Sequence, residues 1–86
     1  MNLEKIRRKI DVIDRNILFL LARRRNLAQK TVVIKRKNNF PIKDQAREKA
    51  IIDTLTEKAE RCGLNEKFIA RLFRIIITES RLRQKL

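Results

Sequence analysis

The chain has no histidine, no tryptophan and no tyrosine, and only one cysteine, one glycine and one proline. Each absence closes a route. Without histidine there is no imidazole general base and no Ser-His or Cys-His nucleophile pair. A single cysteine, Cys62, excludes an internal disulfide and, without histidine, leaves no zinc-type ligand set. No metal and no cofactor is expected, and any catalysis is expected to work by positioning and electrostatics. Cys62 is expected to be a buried, inert thiol. The four aromatics are all Phe, which makes no evident base-stacking platform. The opening MNLEKIRRKI lacks a signal-peptide core, and no apolar run is long enough to span a bilayer. The expectation is a cytoplasmic chain with no membrane partner.

What is present is positive charge. Twenty-three Lys and Arg against 10 Asp and Glu give a net charge of +13 over 86 residues. Such a balance favours anionic partners, and on composition alone nucleic acid comes first. The cations are spread over several helical faces, however, with no basic tail. Charged residues at 38% and hydrophobic ones at 43% suit a single, all-helical domain over residues 1–86.

The hydropathy pattern predicts three helices. Leu3, Ile6, Ile10, Ile13, Ile17, Leu20, Leu27 and Ile34 recur at alternating spacings of three and four, the mark of a helix with one buried seam. Arg24 and Thr31 interrupt that seam. The first helix runs from about Leu3 to Lys37, a rod of roughly 52 Å, whereas a compact chain of this length has a radius of gyration of about 12 Å. Such a rod needs a partner along its seam. Asn38, Asn39, Phe40 and Pro41 stop it. Asp44 caps a second helix that ends near Arg61, with Gly63 as its left-handed terminator and Leu64 packing back. Asn65 caps a third helix over about residues 66–85, apolar around most of its circumference and so expected to lie buried between others.

Each predicted helix also carries polar groups on its inward side. Arg24 sits in the first seam, flanked by Arg7 and Lys35. Glu48 precedes Ile51 and Ile52 by one turn, and the line Ile69, Phe73, Ile76, Ser80, Gln84 starts apolar and ends polar. One by one these have ordinary readings: a register device, snorkelling cations, a first-turn carboxylate, a frayed end. Together they make an inward cluster of the kind that a pocket for a small polyanion needs. Arg24 and Lys35 are separated by about 16 Å of helical rise, close enough for long side chains to converge on one ligand. Arg7 and Arg24 are about 25 Å apart, too far to share one. In a two-fold antiparallel pairing of the first helix whose axis passes between about residues 16 and 21, Arg7 faces the 24–35 segment of the partner, and two sites result.

The stretches IRRKIDVIDRNILFLLARRRNLA, Lys35, FPIKDQAREKAII and GLNEKFIARLFRIIITESRLRQ, in this order and spacing, resemble the AroQ-class (all-helical, type II) chorismate mutases over essentially the whole chain. The resemblance implies an intertwined helical homodimer that binds chorismate and rearranges it to prephenate, an isomerase step of aromatic amino-acid biosynthesis. It implies that Arg7 is donated across the dimer and that Arg24 and Lys35 are cations of the resident first helix, Lys35 near the breaking ether oxygen. It places Asp44, Arg47 and Glu48 at the second helix start, with Glu48 holding the substrate hydroxyl. It places Ser80 and Gln84 on the third helix, Gln84 donating to the ether oxygen. The high net charge and Thr31, where the family usually has an aliphatic residue, depart from the pattern. In many relatives this module is fused to another enzyme of the pathway. Two alternatives stand beside the mutase: an isochorismate pyruvate lyase on the same scaffold, and a basic nucleic-acid-binding dimer. The latter leaves Glu48, Ser80 and Gln84 unexplained.

Overall fold

The computed structural model describes residues 2–84, with side chains through residue 82. Three helices follow in order: α1 over Leu3–Lys37, α2 over Gln45–Arg61 and α3 over Glu66–Gln84. The boundaries follow from local chemistry. The side chains of Asn2, Asp44 and Asn65 accept the backbone N–H of Lys5, Arg47 and Phe68, each at 2.9 Å, so every helix start is capped.

The two connections share one terminator. After α2, Gly63 takes φ 73°, its N–H donates to Glu60 O, and the Leu64 N–H donates to Ala59 O at 2.9 Å. After α1 the same double bond recurs with Asn39 in the left-handed role at φ 58°: Asn39 N–H donates to Arg36 O and Phe40 N–H to Lys35 O at 2.7 Å. The chain therefore folds back over the last turn of α1 before Pro41. A β-branched residue at Asn39 would strain this turn by about 1–2 kcal/mol. Asn39→Val is expected to lower the thermal midpoint while Asn39→Gly leaves it near wild type; differential scanning calorimetry of the two variants checks this.

The first helix projects from the rest. The molecule measures 55 × 24 × 15 Å and its radius of gyration is 16.1 Å, well above the value of about 12 Å for a compact chain of this length. No residue of α1 is buried. Ile13, Ile17, Leu20 and Leu27, all seam positions, are more than half exposed. The core lies where α3 packs on α2 and on the second half of α1, around Ala59, Ile69 and Ile77. Two expectations are corrected here. Helix α3 is not enclosed within its own chain, because Phe68, Leu72 and Ile75 stay exposed on the side away from α2. Cys62 is exposed, because it is the C-cap residue of α2 and lies past the end of that helix's apolar stripe. Among the described residues, no helix is long and apolar enough to cross a membrane.

Candidate functional site

The three helices meet around a cleft of about 330 Å³ whose walls include Arg24, Lys35, Asp44, Arg47, Glu48 and Ser80. Six of the eight residues singled out from the sequence are thus brought together. Helix α1 supplies Arg24 and Lys35, the start of α2 supplies Asp44, Arg47 and Glu48, and the last turns of α3 supply Ser80. Leu27, Ile51 and Ile77 furnish apolar walls between the polar groups. A cleft with apolar sides and a few convergent polar groups is the usual form of a small-molecule site.

Each side chain is placed by a local cause. Arg24 lies in the seam of α1 opposite α3, and its Nη1 donates to Ser80 Oγ at 2.8 Å. Lys35 is half-buried in the last turn of α1, and its Nζ donates to the Ile42 carbonyl at 3.0 Å. That carbonyl is within reach because the Asn39 turn folds residues 40–42 back onto α1. Asp44 is both cap and wall: its carboxylate accepts the Arg47 N–H, which fixes the first turn of α2 and with it the directions of Arg47 and Glu48. Thr31, where an aliphatic residue was expected, satisfies its hydroxyl by donating to Ala28 O at 2.6 Å, leaving its methyl for the wall.

The electrostatics favour an anion. Four cations line the cleft (Arg24, Lys35, Arg47 and Arg81) against two carboxylates, Asp44 and Glu48. Burial, and after it the nearby Arg47 charge, hold the pKa of Arg24 below the ordinary arginine value. A cation pushed in that direction is under-solvated and faces a like charge; a bound carboxylate relieves both costs. Among the described residues there is no group of His, Cys, Asp and Glu side chains suited to a metal ion.

Two expected members of the site do not stand in the cleft walls as described. Arg7 is exposed near the far end of α1 and pairs with Glu4 at 3.7 Å. The backbone of Gln84 closes α3, one turn beyond Ser80, and its side chain lies outside the described residues. One charged cleft residue was missed. Arg81 lines the cleft and donates from Nη1 to Glu48 Oε1 at 2.5 Å. Its signal was its place one helical turn after Ile77, a buried position, hidden by the many charges around it.

A family model described as chorismate mutase type II matches residues 6–85. The chain is 44% identical over 84 residues to the bifunctional chorismate mutase/prephenate dehydratase of Buchnera aphidicola subsp. Schizaphis graminum, a match covering 98% of this chain and 22% of that protein. It is 37% identical over 83 residues to the chorismate mutase of Methanocaldococcus jannaschii, covering 96% of this chain and 84% of that protein. The bifunctional chorismate mutase/prephenate dehydratase of Escherichia coli K12 is 35% identical over 80 residues, or 93% of this chain and 21% of its own length. The chain thus spans about a fifth of the bifunctional relatives and most of the Methanocaldococcus protein.

Proposed function

The chain belongs to the chorismate mutase type II family, and on that premise we propose that it is an isomerase rearranging chorismate to prephenate in the α1/α2/α3 cleft. The observation that carries this reading is the convergence of Arg24, Lys35, Arg47, Glu48 and Ser80 on one small cleft with a cationic excess. The reaction is an intramolecular [3,3] rearrangement. It needs no proton transfer and no covalent adduct, which suits a chain without histidine. Chorismate is a dianion with two carboxylates, an ether oxygen and a hydroxyl. Arg24 and Arg47 grip carboxylate oxygens and hold the folded conformer in which the reacting carbons approach. Ser80 fixes the Arg24 fork, and Asp44 fixes the start of α2. Glu48 accepts from the substrate hydroxyl.

The carbon–oxygen bond breaks ahead of carbon–carbon bond formation, so negative charge grows on the ether oxygen. Lys35 and Gln84 aimed at that atom stabilise the transition state more than the ground state. Gln84 carries no titratable proton, so this position is expected to cause little loss of activity between about pH 5 and 8. A kcat profile across that range, compared with that of Gln84→Glu, checks it: the Glu variant should lose activity as the pH rises, because it donates only when protonated.

The working form in this reading is a homodimer in which antiparallel α1 helices cover each other's exposed seams and carry Arg7 into the partner's cleft. Support comes from the open apolar face of α1 and from the distance along the rod, which keeps Arg7 from its own cleft. A solitary exposed thiol suits a reducing compartment, and the cytoplasm is the compartment assigned here. Incubation with chorismate and, separately, with isochorismate tests the reaction assignment by chromatography. Prephenate from the first and no pyruvate from the second are expected. Pyruvate release from isochorismate with no prephenate from chorismate would replace the mutase by the lyase.

A further inference from the structure

The Glu48–Arg81 pair differs in kind from the other ion pairs among the described residues. Those join residues three or four apart on one helix, and their side chains are all at least 61% exposed. Glu48 and Arg81 link α2 to α3, and their side chains are only 24% and 22% exposed. Both also line a second groove of about 500 Å³ between α2 and α3, so the pair stands as the wall between that groove and the cleft.

The pair solves a problem set by the cleft's own composition. Glu48 shares the cleft with Arg24, Lys35 and Arg47. An unanchored carboxylate among three cations would settle on one of them and neutralise charge needed for the substrate. Arg81 instead holds the carboxylate against α3 through Oε1, leaving Oε2 as an acceptor. We propose that Arg81 is a positioning residue for the reaction: it orients Glu48 toward the substrate hydroxyl and keeps it off the substrate-binding cations. This rests on the reading of the cleft as a chorismate site.

Steady-state kcat and KM, together with thermal midpoints, for Arg81→Met, Arg81→Lys, Glu48→Gln and the double variant test it. Arg81→Met keeps most of the wall's volume and removes the charge. It is expected to lower kcat/KM by about ten- to a hundredfold with a thermal midpoint near wild type. Arg81→Lys should recover a large part of that loss. The double variant should be little worse than Glu48→Gln alone, because Arg81 acts through Glu48. Losses that multiply in the double variant would show Arg81 acting on the substrate by itself, and an Arg81→Met enzyme with wild-type kinetics would show no role; either overturns the proposal. Wild-type protein inactive on chorismate would overturn the functional reading instead, so the two failures are distinct.

Discussion

Lys35→Ala is expected to lower kcat by about 10²–10³-fold, with a much smaller change in KM. The reason is where its charge sits. Lys35 is half-buried at the end of α1, and its ammonium is tied to the Ile42 carbonyl at 3.0 Å by the folded-back turn. It is therefore oriented in advance, and in the proposed reaction little reorganisation is needed as charge develops on the ether oxygen. An interaction that strengthens only in the transition state raises kcat rather than lowering KM. Initial rates over a range of chorismate concentrations give the split. Equal kcat for variant and wild type would remove Lys35 from the mechanism, and a pure KM effect would make it a binding group only.

Arg7→Ala and Arg24→Ala are each expected to be nearly inactive as pure proteins, yet to regain activity when mixed. Arg24 is under-solvated and anchored on Ser80, so its loss removes, in the proposed reaction, a carboxylate grip and leaves the Ser80 hydroxyl without its donor. Arg7 is exposed and pairs only weakly with Glu4, so its removal is expected to leave the fold intact. If Arg7 serves the partner's cleft, a mixed dimer has one site with both arginines and one with neither. Random reassortment of subunits then restores about a quarter of wild-type sites. Unfolding and refolding an equimolar mixture, followed by a rate measurement and a molecular mass in solution, checks this. Activity no higher than in the unmixed variants, in a preparation shown to be dimeric, would contradict donation across the dimer.

The helix boundaries were legible because they depend on neighbours in sequence. Asp44, Asn65 and Gly63 act through bonds to residues a few positions away, and those bonds are present. The inward placement of Arg24, Glu48 and Ser80 was legible for a related reason: helical spacing puts them on apolar stripes whatever the tertiary packing. Arg81 was not, because its role depends on α2 and α3 meeting at one register, a contact spanning 33 residues of sequence. Hydropathy alone does not register that Cys62, as the C-cap residue of α2, lies past the stripe and stays exposed. The exposure of Phe68, Leu72 and Ile75 shows a further limit: periodicity marks a face for burial without saying which chain covers it. The high net charge is explained only in part by the cleft, where four cations face two carboxylates.

The most direct measurement is turnover of chorismate by the purified protein, followed as loss of chorismate and gain of prephenate, with Arg24→Ala run alongside. The account requires the wild-type protein to form one prephenate per chorismate lost, without added metal or cofactor, and Arg24→Ala to be nearly silent. Wild-type protein that leaves chorismate unchanged, or an Arg24→Ala variant as fast as wild type, would contradict it.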